Sequence, residues 1–217
     1  VEPDVIRAAQ IAENSGAASI TTHLREDRRH IKDEDVYALI NTLKTRLNLE
    51  MAMADDIQEI ALDIKPYSIC LVPERRQEVT TEGGLDVAGQ LEKVTEFIKP
   101  LLDTGIIVSL FIDSDKNQVE AAAKTGAQFI EMHTGSYAEC FGYKEEEAEF
   151  QKLKQSAELA QKLGLKVNAG HGLNYENVHR MHEINGLCEL NIGHSIISRA
   201  VFTGLSEAVE KMKDLIK

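Results

Sequence analysis

The chain has 217 residues, 43% of them hydrophobic, with 14 glycines and 4 prolines, so it can bury a sizeable core and does not have a disordered composition. A formal net charge of −12 and a pI near 5.1 exclude a non-specific nucleic-acid binder or a ligand of acidic membranes, while leaving room for a local basic pocket. Cys70, Cys140 and Cys188 are too scattered for a disulfide framework or zinc knuckle and point to buried free thiols in a reducing cytosol; no apolar run reaches membrane-spanning length, and no signal peptide is visible.

Periodicity predicts a helix over residues 2–14, with Pro3 suited to its first turn, and then a strand over 18–23. Helix and strand then alternate: helix 33–45, strand 47–51, helix 55–64, strand 68–72, helix 90–102, strand 106–112, helix 117–124 and strand 129–133. The chain finishes with helix 145–163, strand 167–169, helix 176–183, strand 189–192 and helix 206–216. The strands are short and apolar, as suits strands buried on both faces of a parallel sheet. Glycines at 16, 105, 126 and 164 sit where helix C-caps belong. No linker or low-complexity stretch interrupts the pattern, so one domain over 1–217 is expected.

Strict alternation leaves an open doubly wound sheet or a (β/α)8 TIM barrel. The strand ends favour the barrel, because there every strand points its C-terminal end at one mouth. Those ends carry His23 with Arg25, Glu50, Glu74 with Arg75 and Arg76, Asp113, Glu131 with His133, His171 after Asn168, and His194. Each of these histidines taken singly reads most simply as a hydrogen-bonded structural residue. Jointly they point to acid–base work, since histidine titrates near neutrality. His179 and His182 lie on a helical stretch and read as surface residues, whereas His30 ends a basic octapeptide suited to an anion.

Asn168-Ala169-Gly170-His171-Gly172 and Asn191-Ile192-Gly193-His194 close the last two strands, where barrels often cradle a phosphate on backbone N–H groups. The long polar stretch 73–86 reads as a loop over the mouth, with Gly83-Gly84 as its hinge and with arginines and threonines suited to phosphate oxygens. The acidic run 145–147 complements a helix dipole, and the five methionines read as core or helix-face residues.

These blocks, HLREDRRH at 23–30, NLEM at 48–51, LVPERRQEVTTEGG at 71–84, VSLFID at 108–113, VNAGHGL at 167–173 and ELNIGH at 189–194, closely resemble the pyridoxine 5′-phosphate synthase family. The likeness runs in the family's order over nearly the whole chain. It implies a cytoplasmic (β/α)8 barrel that condenses 3-amino-2-oxopropyl phosphate with 1-deoxy-D-xylulose 5-phosphate, giving pyridoxine 5′-phosphate, phosphate and water. It also implies no metal, no organic cofactor, and a homo-octamer. By matching motif, His23 and Glu50 resemble the family's proton acceptors and His171 its proton donor. Arg25, His30 and Thr80 resemble the residues that hold deoxyxylulose phosphate. Gly172, Gly193 and His194 resemble those that hold the aminoketone phosphate, and Glu131 a further carboxylate of the pocket.

The family's leading strand, with its Asn-x-Asp-His element and arginine loop, is not found in the sequence, which accounts for seven predicted strands in place of eight. The segment 137–144 has no assigned role. Two other readings stand beside the resemblance: a metal-dependent barrel hydrolase or epimerase built on clustered His, Glu and Asp, and a phosphate-ligand binding protein without catalysis. Against the first, no strand carries a His-x-His pair.

Overall fold

In the computed structural model, which describes residues 2–74 and 83–217, seven parallel strands stand side by side in sequence order. They are β1 (Ser19–His23), β2 (Arg46–Met51), β3 (Ser68–Leu71), β4 (Ile107–Ile112), β5 (Phe129–His133), β6 (Lys166–Gly170) and β7 (Leu187–Asn191). Helix α1 (Val5–Asn14) precedes them; α2 (Asp33–Thr42), α3 (Asp55–Ile64), α4 (Leu91–Asp103) and α5 (Lys116–Thr125) follow the first four strands in turn. After β5 come α6 (Gly135–Cys140) and α7 (Glu146–Lys162), and after β7 come α8 (His194–Thr203) and α9 (Leu205–Leu215).

The sheet is curled. Among the described residues no backbone pairing joins β1 to β7, yet Ser19 Oγ donates to Glu189 Oε1 at 2.8 Å and Thr21 Oγ1 donates to Asn191 Oδ1 at 3.0 Å. The two edge strands therefore face each other within side-chain reach. Outside them α9 packs against α1. This is the expected α/β barrel architecture with seven strands among the described residues.

Side chains alternate across each strand. The outward positions are apolar and sealed under the helices: Leu47, Leu49 and Met51; Ile69 and Leu71; Val108, Leu110 and Ile112; Ile130 and Met132; Val167 and Ala169 are all buried. Most inward positions are polar, with Phe111 an aromatic exception. Ser68 Oγ donates to Asn48 Oδ1 at 2.8 Å, and Asn48 Nδ2 donates to Thr21 Oγ1 at 3.3 Å, so hydroxyls and amides satisfy one another inside the cylinder.

Helix ends follow local chemistry. Asp4 caps α1 by accepting the Arg7 N–H at 3.0 Å, so Pro3 lies ahead of the helix and not in its first turn. Gly126 ends α5 at a φ of 91°, as anticipated for a C-cap. The stretch near 176–183 forms a 3₁₀ helix, Val178–Glu183. Two helices were not foreseen. Helix α6 has six residues and occupies part of the unassigned segment. Helix α8 has no fully buried residue: Ile196 packs against the core from a half-buried face, while Ile197, Val201 and Phe202 on the other face stay exposed.

Candidate active site

Parallel strands in sequence order bring all seven C-terminal ends to one rim. Sheet register sets the neighbours there: His23 lies beside Glu50, Glu50 beside Cys70, and Glu131 beside Asn168. Residues far apart in the chain thus meet because each closes a strand of the same cylinder.

His23 stands between two carboxyl groups. Its Nε2 lies 2.5 Å from Glu74 Oε1, and its Nδ1 lies 3.9 Å from Glu50 Oε2. Glu74, with its side chain only 4% exposed, also accepts the Glu26 N–H at 3.0 Å through its other oxygen. Burial pushes the Glu50 carboxyl above its ordinary range, and the nearby His23 and His171 pull it partly back.

Glu131 is buried beneath this pair. Desolvation, reinforced by the negative field of Glu50, raises its pKa from 4.5 to about 8. Asn191 Nδ2 donates to Glu131 Oε2 at 2.5 Å, and the Cys70 thiol donates to the same oxygen at 3.7 Å. Burial, then the two carboxyl groups, push the Cys70 thiol well up, so it stays protonated and acts as a hydrogen-bond donor, not a nucleophile.

On the far side of the rim, His133 Nδ1 lies 3.0 Å from Asp113 Oδ1, and this hydrogen bond holds the Asp113 carboxyl below its ordinary range. The rings of His133 and His171 are 5.0 Å apart, with Phe111 tilted against both. His171 has a φ of 78°, a conformation uncommon for a residue with a side chain. The buried Thr134 hydroxyl holds it there by donating to the carbonyl oxygens of Gly170 and His171, at 2.7 and 2.5 Å.

His23, Glu50, Glu131 and His171 are therefore brought together. Gly172 follows His171 at a φ of 78°, a turn that favours glycine. Gly193 and His194 lie at the start of α8, after β7 on the same rim, and both are exposed. Arg25 and His30 lie in the β1–α2 loop, where the Arg25 Nε donates to Asp27 Oδ1 at 3.2 Å and His30 is exposed. Arg28, from the same basic stretch, is engaged by Asp33 at 2.8 Å and Asp56 at 2.7 Å, so it pins the loop to α2 and α3. His179 and His182 are exposed, as expected.

Thr80, with Arg75 and Arg76, lies outside the described residues. At the end of that loop, Gly84 makes a close approach to β4. Its N–H donates to Asp113 Oδ1 at 2.9 Å, and a Cβ at this position would run into the backbone of Ile112 and Asp113. Glycine is needed here because the loop returns hard against the end of β4.

Sequence reasoning gave no role to Asn191, Cys70 or Thr134. Asn191 stood inside a marked motif. The partners of Thr134 are 36 and 37 residues away, and no local pattern announces them. Among the described residues no group of three or more His, Cys, Asp or Glu side chains is placed to hold a metal ion, and no helix is long and apolar enough to cross a membrane.

The family model described as "Pyridoxal phosphate biosynthesis protein PdxJ" matches residues 1–217. The chain is 56% identical over 217 residues to "Pyridoxine 5'-phosphate synthase" of Geotalea uraniireducens (strain Rf4), covering all of this chain and 91% of that protein. It is 57% identical, with the same coverage, to the protein of that name from Geobacter sulfurreducens. Solved structures resemble it in fold alone. One described as "Native KDPGal structure" has a TM-score of 0.70 at 14% identity, covering 99% of this chain and 89% of that one. Phosphoribosyl anthranilate isomerase from Thermus thermophilus has a TM-score of 0.62 at 12% identity, covering 97% and 93%.

Proposed function

The chain belongs to the PdxJ family of pyridoxal phosphate biosynthesis proteins, and from that membership we propose that it is a pyridoxine 5′-phosphate synthase acting by histidine and glutamate acid–base catalysis. Its substrates are 3-amino-2-oxopropyl phosphate and 1-deoxy-D-xylulose 5-phosphate. The observation that carries the reading is the position of Glu50, which lies in the field of both His23 and His171 while Glu131 lies close beneath it.

The chemistry needs such a cluster. The amine adds to a ketone and water leaves, phosphate is eliminated from an enol, and the ring closes and aromatises. Every step adds or removes a proton at carbon, nitrogen or oxygen, so several groups must serve one pocket. In this reading His23 and Glu50 accept protons and His171 donates one. Burial suits Glu50 to the task, because a carboxyl raised above its ordinary range is a stronger base once ionised. Glu131, neutral below about pH 8, offers a hydrogen bond to developing negative charge. Arg25, His30 and Thr80 hold the deoxyxylulose phosphate. Gly172, Gly193 and His194 hold the aminoketone phosphate, where backbone N–H groups and the start of α8 suit an anion. The enzyme works without metal or organic cofactor, in the cytoplasm, as a homo-octamer.

The test is direct. With both substrates, the purified protein is expected to release pyridoxine 5′-phosphate and inorganic phosphate in equal amounts, with chelator present or absent. Omission of either substrate abolishes both products. Absence of product from the folded protein would overturn the proposal.

A second expectation concerns Gly170. A Cβ there would press on Glu131 Oε1 and lie 2.8 Å from the Asn191 carbonyl oxygen. Gly170→Ala is therefore expected to displace the carboxyl and lower kcat on the order of 100-fold, the usual consequence of a misplaced group of this kind. Initial-rate kinetics check this; an unchanged kcat would show that the carboxyl position is immaterial.

A further inference from the structure

Glu74 has no role in the reading above, yet its contacts are the shortest made to His23. Its side chain is 4% exposed, and both of its oxygens are used: Oε1 lies 2.5 Å from His23 Nε2, and Oε2 takes the Glu26 N–H at 3.0 Å. The backbone hydrogen bond fixes the carboxylate, and the fixed carboxylate in turn fixes the ring. A carboxylate only accepts, so the nitrogen facing it must carry the proton. A neutral imidazole has one N–H, and the other nitrogen is then the free base.

We propose that Glu74 is the positioning residue of His23: it holds the ring as the Nε2–H tautomer and leaves Nδ1, 3.9 Å from Glu50 Oε2, as the nitrogen that takes the substrate proton. This rests on the reading of His23 as a proton acceptor. In the step itself the substrate bond to hydrogen breaks, its electron pair stays with the substrate, and the proton passes to Nδ1. The Nε2 proton does not move. The resulting imidazolium has a carboxylate at each nitrogen, so the charge it gains is stabilised from both sides. Glu74 touches no reacting atom and acts through the ring.

Glu74→Gln keeps the shape of the side chain but can present an amide N–H to Nε2, which favours the opposite tautomer. It is expected to lower kcat by about 10²–10⁴-fold, as loss of the correct tautomer does elsewhere, while KM changes less than about threefold. Because Glu74 works through His23, the double variant His23→Ala/Glu74→Gln is expected to match His23→Ala alone. A kcat for Glu74→Gln within about threefold of the parent overturns the proposal. So does a double variant that falls below His23→Ala by the full factor of the single change. Near-normal turnover in His23→Ala instead sinks the proton-acceptor reading, and the two failures are thereby distinguished. One measurement needs no change at Glu74. In ¹⁵N-histidine spectra of the parent protein, with His23 assigned by its loss in His23→Asn, Nε2 is expected to be protonated and Nδ1 not. The reverse pattern overturns the proposal.

Discussion

His23→Ala is expected to lower turnover by about 10²–10⁴-fold with a much smaller change in substrate affinity. The ring stands at the end of β1 with its side chain 27% exposed, and it contributes to the site more than to the core. Its loss leaves the apolar outer face of the strands intact, so the variant should fold. What disappears is the base between Glu50 and Glu74, and neither carboxyl can replace it, because each is fixed by its own strand or loop. Initial rates at saturating and limiting substrate give kcat and KM separately. A variant that turns over almost normally would refute the role.

The second large effect is on stability against pH. The Glu131 carboxyl has a pKa of about 8 in the fold against 4.5 for the free side chain. Between those values the unfolded chain releases a proton that the folded one retains. The folded state thus binds more protons, and stability falls as pH rises through this window, by at most about 1.4 kcal/mol per pH unit for this one group. The contribution is complete below pH 4.5 and gone above about 8. Glu50, raised by the same desolvation, adds a slope of the same sign. Asp113 acts oppositely: its lowered pKa contributes stability above its ordinary value that is lost on further acidification. Glu131→Gln is expected to flatten the alkaline decline and to raise stability near pH 8 relative to the parent. Denaturant midpoints measured from pH 5 to 9 at fixed protein concentration would show it. Equal slopes in parent and variant would mean that the carboxyl is not held neutral.

The strand-end logic was legible because a parallel barrel converts a sequence rule into a spatial one. An apolar run followed by a histidine or carboxylate places that group on the rim, whichever strand it closes. His23, Glu50, Glu131 and His171 could all be named in this way. Loop residues were harder to read. Arg28 belongs to an octapeptide whose basic character suits an anion, yet it is a clamp between α2 and α3, because Asp33 and Asp56 reach it only after the chain has folded. Gly84 makes a close approach to β4 that the sequence does not announce, a constraint set by residues 28 or more positions away. The strands are buried on both faces, as their short runs suggested, but the inner face carries Asn48, Ser109 and Glu131, a polar lining that shows only when the alternation is followed residue by residue.

Alternation of period 3.6 with period 2, and the residue types at strand ends, were enough to specify a rim of ionisable groups on a barrel-like sheet, because both depend on local backbone geometry and chain order. Which nitrogen of His23 faces which carboxyl, the upward shift of Glu131, and the hold of Thr134 on the left-handed His171 arise only in the folded molecule. They depend on distances and on the exclusion of water between strands that no stretch of chain contains alone.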